Sequence, residues 1–475
     1  MRKIFLSILA ILALTACGGM RGISYYGAML EGLDDFKEWD SEENEENPFV
    51  DASEHKTSNI ALTNTTFAYP VVRSLIAEGA IDRAKNSVRT EEFLNYFKYG
   101  YVNDTENGLN SYIELSTCPW NADHHLASVF IKAKPAKTEN INNNIVILVD
   151  RSGSMTSVFG LVKTSLNTLV DNLGNDDKVS IVSYASGSGI NAEGLTGKDK
   201  NKLRGVINDL KAGGSTNGSG GIETAYTLAE KYFIEGGNNR VVILTDGDFN
   251  VGKVSGDELT ELIQEKAGTG VYLTCVGYRS YDNGTLYTLA NNGNGNAYYI
   301  DGEFEARKVF EEELGKSLYT VAKDAKCQIE FSNAISQYRL LGYENRQLTD
   351  EEFDDQYKDS GEIMSDHTTV AMYELVLNES FTDDYYLKTI LRYKDPVSEE
   401  NQEVVTTKNN ISVTRAVDYD FTTYVAEYVL SLIESQYKQD ASLVHLLDRM
   451  NNDYINDKYR DDFASIVSKT KTLLK

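Results

Sequence analysis

The feature that most constrains the fold is a series of short apolar runs, separated by helical patterns, between residues 141 and 324. The runs are Ile145–Val149, Val179–Tyr184, Arg240–Leu244, Val271–Val276 and Ala297–Ile300. Apolar strands that alternate with amphipathic helices are typical of a parallel sheet with helices on both faces. We therefore predict an α/β domain over residues 141–324.

Two segments between the runs show the spacing of an amphipathic helix. Their apolar residues recur three and four positions apart, which places them on one helical face. The two stripes are Leu161, Val162, Leu166, Leu169, Val170 and Leu173, and Ile222, Ala225, Tyr226, Ala229 and Phe233. The last helix of the domain is predicted near residues 303–323.

The segments on either side of this domain have a different pattern. Residues 110–120 and 125–135 before it, and residues 387–394 after it, alternate like antiparallel strands. From Phe421 onward, apolar residues again recur at helical spacing, which predicts a helical tail. Because strands occur on both sides, we expect the α/β unit to be inserted into one β domain built from both flanks.

The N-terminus has the pattern of a secretion signal. Arg2 and Lys3 precede an apolar stretch, Ile4–Leu14, that is too short to span a bilayer as a helix. The stretch ends in LTAC at residues 14–17, which resembles the lipobox of bacterial lipoproteins; a plain signal peptide is the alternative. The resemblance implies cleavage before Cys17 and lipidation of that residue. It also implies a protein anchored to a membrane outside the cytoplasm, with the outer membrane favoured if the host has one.

The stretch after the lipobox is acidic and lacks apolar periodicity, which predicts a solvated tether. In chain order, the predicted segments are a signal peptide (1–16), a lipidated cysteine and acidic tether (17–57), an N-terminal region (58–140), the α/β domain (141–324), a β-rich, sandwich-like domain (325–415) and a helical segment (416–475).

Charge and cysteine content narrow the range of partners and of covalent cross-links. The formal net charge of −26 argues against nucleic acid as a partner held by charge. After signal cleavage three cysteines remain, and an odd number rules out a complete disulfide framework. Cys275 lies in an apolar run and is predicted to be a core residue, whereas a Cys118–Cys327 bridge stays open.

Three loops at the predicted carboxyl ends of strands carry oxygen-bearing side chains. They are the segment Asp150–Ser154, the stretch GGSTNGSGG at 213–221, and TDGD at 245–248. Ligands of open parallel sheets bind at this edge. Carboxylates and hydroxyls without imidazole or thiol suit Mg²⁺, Mn²⁺ or Ca²⁺. A cation contacted mainly by neutral hydroxyls remains able to accept a carboxylate from another molecule.

The side chains in these loops resemble a known site. Asp150-x-Ser152-x-Ser154, Thr216 and Asp246 resemble the metal-ion-dependent adhesion site of von Willebrand factor type A domains. The resemblance implies a Rossmann-like A domain. It also implies that the two serines and the threonine ligate a divalent cation directly or through water, while the two aspartates support it. Mg²⁺ is the expected ion, with Mn²⁺ or Ca²⁺ as alternatives.

Two more residues are placed at the rim of this site. Arg151 occupies a position that more often holds a small or apolar residue in the family. It either competes for the carboxylate that the open site binds or helps to clamp that carboxylate. Asp248 follows Asp246 closely and is the residue that an enzymatic alternative would use.

Longer stretches resemble one bacterial lipoprotein family. They include SVRTEEFLNYFKYGY at 87–101, NNRVVILTDGDFNVG at 238–252 and RLLGYENR at 339–346. The resemblance covers most of residues 60–395. It implies an A domain between a characteristic N-terminal region and a C-terminal domain.

These features favour a binding protein over an enzyme. The leading hypothesis is a membrane-anchored, extracytoplasmic protein that docks an Asp or Glu carboxylate of a protein partner through the divalent cation. The alternatives are an envelope structural or assembly lipoprotein without metal-dependent binding and, less favoured, a metal-dependent hydrolase. The chain has no G-x-S-x-G elbow, P-loop or H-E-x-x-H motif, and no histidine lies between Asp150 and Asp246.

Overall fold

The structure is a computed structural model. It describes residues 45–135, 142–185, 187–214, 219–247, 256–278, 283–314, 319–358, 360–380, 382–450 and 457–474. The signal, Cys17, most of the predicted tether, Thr216 and Asp248 lie outside the described residues. Within those residues, no helix combines the length and apolarity that crossing a bilayer requires.

The described residues form antiparallel and parallel sheets, and their strands are numbered in chain order. They are β1 (Val50–Asp51), β2 (Thr57–Ala61), β3 (Leu109–Cys118), β4 (Asn121–Ala133), β5 (Asn143–Asp150), β6 (Lys178–Tyr184), β7 (Ser188–Thr196), β8 (Asn238–Thr245), β9 (Val271–Tyr278), β10 (Ala297–Ile300), β11 (Thr320–Phe331), β12 (Ile335–Leu341), β13 (Gln347–Leu348), β14 (Ile363–Met364), β15 (Thr368–Leu377), β16 (Leu387–Lys394) and β17 (Asn401–Lys408).

The α-helices are numbered in the same way. They are α1 (Ala68–Glu78), α2 (Ile81–Asn86), α3 (Thr90–Asn95), α4 (Phe159–Asn172), α5 (Lys200–Asp209), α6 (Ser219–Lys231), α7 (Gly256–Gly268), α8 (Asn283–Asn292), α9 (Glu303–Arg307), α10 (Asp350–Asp354), α11 (Val417–Leu432), α12 (Leu443–Met450) and α13 (Lys458–Leu473). Single turns of 3₁₀-helix cover Ser154–Ser157 and Gly197–Asp199, and a π-helical turn covers Lys308–Glu313.

The predicted α/β domain is confirmed. Its sheet has the order β10-β9-β8-β5-β6-β7, and every pairing is parallel except that of β6 with β7. The sequence did not predict β7, because this edge strand is largely exposed and has a polar composition without an apolar run. Helices α6–α8 cover one face, and α4, α5 and α9 cover the other. Phe233, the last residue of the second predicted stripe, follows α6 and is 38% exposed.

Strand β5 lies at the centre of this sheet, and all eight of its residues are buried. Val146 and Leu148 face the core shared with α6–α8, while Ile145, Ile147 and Val149 face the opposite core. Fully burying one such side chain contributes about 1.5–3 kcal/mol. The position of the strand, and of the residue at its carboxyl end, is therefore fixed from both faces.

The flanking segments form a β-sandwich. One antiparallel sheet has the order β1-β12-β15-β4-β3 and the other β13-β2-β11-β16-β17, with β14 pairing with β11. Both sheets combine strands from before and after the α/β domain. This confirms that the domain is inserted between β4 and β11. Apolar side chains from both sheets form one core, which includes Ile60, Leu115, Val129, Ile329, Leu340 and Leu391.

The N-terminal segment of the described chain is attached to this sandwich. The Nδ2 of Asn47 donates hydrogen bonds to the carbonyl oxygens of Leu340 (3.1 Å) and Gly342 (2.8 Å). Strand β1 pairs with β12, and the ring of Phe49 contacts that of Tyr437. The acidic tether predicted to reach residue 57 therefore overlaps the folded part of the chain.

The end of the α/β domain also differs from the prediction. Helix α9 and the π-helical turn end at Glu313, and β11 begins at Thr320, so the prediction of helix as far as residue 323 is wrong. The first residues of β11 pair with β14 and residues 323–331 pair with β16 and β2 instead, because their backbone groups complete the sandwich. The predicted domain boundary at residue 324 falls within this strand.

The three cysteines of the described chain are free thiols. Cys118, Cys275 and Cys327 are all buried, and burial raises the pKa of each thiol. The bridge left open between Cys118 and Cys327 is therefore not formed in this structure, and Cys275 is the core residue that its apolar run predicted.

Arg73 of α1 joins three parts of the chain in one buried ion network. Its guanidinium donates to both carboxylate oxygens of Asp301 (2.6 and 2.7 Å), to Glu305 (2.7 Å) and to Asp462 (2.9 Å). Asp301 and Glu305 belong to the end of the α/β domain, and Asp462 belongs to α13. Burial raises the pKa of Asp301. The last helix of the α/β domain is thus held between the N-terminal and C-terminal helices.

Replacement of Arg73 tests this network. Arg73→Met leaves three carboxylates without their cation, and loss of one partner of a buried ion pair costs about 3–5 kcal/mol. We expect a loss of that size in the free energy of unfolding, measured by urea denaturation. The control is Arg204→Met, which removes an exposed pair with Asp171 and should cost less than about 1 kcal/mol. Equal losses in the two variants would contradict the role of Arg73.

Candidate functional site

Asp150 is the last residue of β5 and is completely buried. Its Oδ1 accepts a hydrogen bond from the backbone N–H of Ser152 (2.8 Å). Its Oδ2 accepts one from the hydroxyl of Thr245 (3.3 Å), the last residue of the neighbouring strand β8. The carboxylate is therefore held between the carboxyl ends of two parallel strands, where ligands of such sheets bind.

The two serines lie directly beside this carboxylate. The Oγ atoms of Ser152 and Ser154 are 2.9 Å apart. Ser152 is 2% exposed, whereas Ser154 is exposed and begins the 3₁₀ turn. The hydroxyls predicted to act together thus form a pair that extends from the buried carboxylate to the surface.

The loop at residues 213–214 approaches the first loop through its backbone. The N–H of Gly213 donates to the carbonyl of Arg151 (2.7 Å), and the N–H of Gly153 donates to the carbonyl of Gly214 (3.1 Å). Gly213 and Gly214 have φ values of +142° and +115°, which favour glycine. The glycines bring the two loops together, and Thr216 follows two residues later, outside the described residues.

The third loop begins at Asp246, directly after β8. The N–H of Gly247 donates to the Thr245 hydroxyl (3.2 Å), so the turn is tied to the residue that holds Asp150. Asp246 is half-buried. Burial and the nearby charges of Asp150 and Asp246 raise the pKa of the Tyr184 hydroxyl. Both aspartates therefore lie in one environment at the end of the sheet.

The structure places the predicted site residues as follows. Asp150, Ser152 and Ser154 are joined by hydrogen bonds, and Asp246 lies at the end of the adjacent strand. Thr216 and Asp248 lie outside the described residues. Sequence reasoning placed Thr245 in the third loop but gave it no role, and it missed Tyr184. Each is a polar residue that ends an apolar strand, and this is the signal by which they are recognisable.

The residues present fit a divalent cation. The groups that contact the buried Asp150 carboxylate are the backbone N–H of Ser152 and the hydroxyls of Thr245 and Tyr184, and none of the ion pairs in the described ranges involves it. A buried carboxylate without a cation is costly. The described residues contain no cluster of three or more His, Cys, Asp or Glu side chains with metal-binding geometry. The oxygen donors at this edge are carboxylates and hydroxyls, which suit Mg²⁺, Mn²⁺ or Ca²⁺.

Comparison with known families identifies the domain. The sequence matches the von Willebrand factor type A domain over residues 144–312, von Willebrand factor over 35–128, and the C-terminal domain of the uncharacterized protein YfbK over 316–473. The chain therefore carries a von Willebrand factor type A domain between an N-terminal region and a YfbK-type C-terminal domain.

A particular relative shares this plan. The chain is 37% identical over 348 residues to the uncharacterized protein YfbK of Escherichia coli (strain K12), an alignment that covers 70% of this chain and 60% of YfbK. The chain thus spans less than two thirds of that relative.

Two further similarities have lower sequence identity. The voltage-dependent calcium channel subunit alpha-2/delta-2 of Mus musculus is 24% identical over 244 residues, covering 47% of this chain and 20% of the subunit. Among solved structures, a von Willebrand factor type A protein from Catenulispora acidiphila has a TM-score of 0.42 and 13% identity, covering 78% of this chain and 91% of that one.

The fit of the site to a cation predicts metal-dependent stability. A ligand at 100 times its Kd stabilises a protein by about 2.7 kcal/mol, which raises the Tm by roughly 5–10 °C for a domain of this size. We expect a rise of this order when Mg²⁺ replaces EDTA, measured by differential scanning calorimetry.

Asp150→Asn should abolish the difference between Mg²⁺ and EDTA, because it removes the buried charge that attracts the cation. Asp171→Asn is the matched control, since Asp171 is an exposed aspartate of the same domain, and it should retain the difference. A wild-type protein whose Tm is the same in Mg²⁺ and EDTA would show that the site does not bind the ion.

Proposed function

We propose that this protein is a membrane-anchored, extracytoplasmic binding protein that docks a carboxylate of a protein partner through a divalent cation. The observation that carries the proposal is the arrangement of Asp150, Ser152 and Ser154 at the carboxyl edge of the sheet. The match of residues 144–312 to the von Willebrand factor type A domain supports it, since such domains generally mediate protein–protein interaction.

The proposed ligands contribute two kinds of groups to cation binding. Ser152, Ser154 and Thr216 supply neutral oxygens, while Asp150 and Asp246 supply negative charge. When bound, a divalent cation attracts and orients an anionic group. Because neutral ligands leave much of the cation's charge uncompensated, a carboxylate from outside the chain is the group best suited to complete its coordination.

The structure of the edge limits what can bind there. Ser154 is exposed while Asp150 and Ser152 are buried, so a partner reaches the site from the Ser154 side. The formal net charge of −26 disfavours polyanions such as nucleic acid. A partner with a single projecting Asp or Glu side chain satisfies both conditions, because the site needs one carboxylate rather than an extended anionic surface.

The lipobox-like LTAC at residues 14–17 supports the proposed location. Lipid on Cys17 would hold the A domain outside the cytoplasm, at the outer membrane if the host has one. The acidic stretch that follows would separate the membrane from the folded part. This arrangement places the site where it can meet envelope or external proteins.

The alternatives predict different behaviour. An envelope structural protein would retain its partners without metal. A metal-dependent hydrolase needs a nucleophile or general base beside the ion, and the segment from Asp150 to Asp246 contains no histidine. The described histidines with carboxylate partners, His124 and His445, belong to the β-sandwich and α12. Asp248 is the residue on which an enzymatic activity would depend.

Affinity capture from the native host tests the proposal. The full chain, immobilised in Mg²⁺ or in EDTA, is compared with Asp246→Ala and with the matched control Asp171→Ala. We expect a partner that is retained only in Mg²⁺, and only by the wild type and Asp171→Ala. Replacement of one partner Asp or Glu by its amide should then release it.

The same experiment separates the alternatives. A partner that survives both Asp246→Ala and EDTA would exclude metal docking and favour the structural role. Turnover of a substrate that is lost on Asp248→Ala alone would favour the hydrolase.

A further inference from the structure

Arg151 lies between two residues of the proposed site, and its backbone is fixed. Its N–H donates to the carbonyl of Tyr184 at the end of β6 (2.8 Å), and its carbonyl accepts from the N–H of Gly213 (2.7 Å). The side chain therefore starts from a defined point at the carboxyl edge of the sheet, between the β6–β7 turn and the loop that leads to Thr216.

The guanidinium of Arg151 differs in its ion pairing from three other arginine guanidinium groups that are buried or nearly so. Those of Arg73, Arg339 and Arg449 each bind at least one carboxylate. Across the described part of the chain, no ion pair involves Arg151, and its Nε is buried without a hydrogen-bond partner. The Nε of Arg339 is also unsatisfied, but its guanidinium has a carboxylate partner in Glu374, so what distinguishes Arg151 is the lack of an ion pair beside an unsatisfied donor.

The chain has more acidic than basic residues, so the lack of a carboxylate partner for Arg151 is not explained by a shortage of carboxylates. The chain has 72 Asp and Glu residues against 46 Lys and Arg, so carboxylates are plentiful on its surface. Arg151 nevertheless forms no ion pair in the described residues, so its guanidinium carries an uncompensated positive charge at the edge where a carboxylate is proposed to dock.

We infer that Arg151 is a specificity-determining residue of the proposed site, whose guanidinium binds one oxygen of the docked carboxylate while the other oxygen meets the cation. The inference rests on the proposed function. A planar guanidinium suits a carboxylate because its parallel N–H groups form charge-assisted hydrogen bonds to it, which a lysine ammonium cannot reproduce. Amides and alcohols lack the negative charge and are rejected.

The positive charge of Arg151 also affects binding of the cation. A positive guanidinium at the rim repels a divalent ion when no anion is present, because like charges at short range raise the free energy. A docked carboxylate compensates both charges at once. Binding of cation and carboxylate is therefore cooperative, and the coupling acts equally in both directions.

Manganese binding to the full chain, measured by electron paramagnetic resonance of free Mn²⁺, tests the inference. The probe carboxylate is N-acetylglutamate, and N-acetylglutamine amide is its control, with amides in place of both carboxylates. In the wild type, we expect N-acetylglutamate to tighten Mn²⁺ binding at least about fivefold, the lower end of coupling between ligands. N-acetylglutamine amide, which carries no carboxylate at all, should leave it unchanged.

Replacement of Arg151 should affect the affinity for Mn²⁺ alone and the enhancement by N-acetylglutamate differently. Arg151→Ala should bind Mn²⁺ alone as tightly as the wild type or more tightly, yet show a smaller enhancement by N-acetylglutamate, because only the cation then holds the carboxylate. Arg151→Lys keeps the charge but not the Nε–H, so it should retain only part of the enhancement. Arg204→Ala, in the same domain but paired with Asp171, should behave as the wild type.

Each outcome decides a separate point. An undiminished enhancement in both Arg151 variants overturns the role of Arg151 and leaves metal docking intact. A wild type that binds Mn²⁺ without any enhancement overturns carboxylate docking, and a wild type that binds no Mn²⁺ overturns the proposed function as a whole.

Discussion

The proposed site depends on one buried carboxylate. Asp150 ends the central strand of a parallel sheet, and its two oxygens are held by Ser152 and by Thr245 of the neighbouring strand. Burial on both faces fixes β5, so the carboxylate cannot move to water without disturbing the core. The serine hydroxyls, the glycine loop and Asp246 are arranged around this fixed charge. Neutral donors orient the charge but do not neutralise it, and this is the physical basis of the proposed cation site.

The rest of the chain keeps this sheet in place. The α/β domain is inserted into a sandwich whose sheets both combine strands from the two flanks, so both of its ends join one folded body. Arg73 ties the last helix of the domain to the N-terminal and C-terminal helices through Asp301, Glu305 and Asp462. The strands that end at Asp150 and Thr245 are therefore held in place by the fold itself, whether or not a ligand is bound.

Much of the α/β domain was predictable because its strands are buried on both faces and therefore appear as apolar runs. Strand β7 was missed since an exposed edge strand has no such run. The end of the last helix was misplaced because residues 320–331 owe their strand structure to pairing with distant β14, β2 and β16, which local sequence does not show. At the site, side chains that follow strands were predictable from position. The bond from Thr245 to Asp150 depends on which strands are neighbours, and only the structure gives that order.

The claim that most needs testing is that the edge beside Asp150 holds a divalent cation. Anomalous diffraction from crystals grown with Mn²⁺ measures this directly, because the signal marks the ion itself. The structure predicts a peak within coordination distance, about 2.0–2.3 Å, of the hydroxyl oxygens of Ser152 and Ser154. Absence of a peak at that edge, or a peak only elsewhere on the molecule, would contradict the claim.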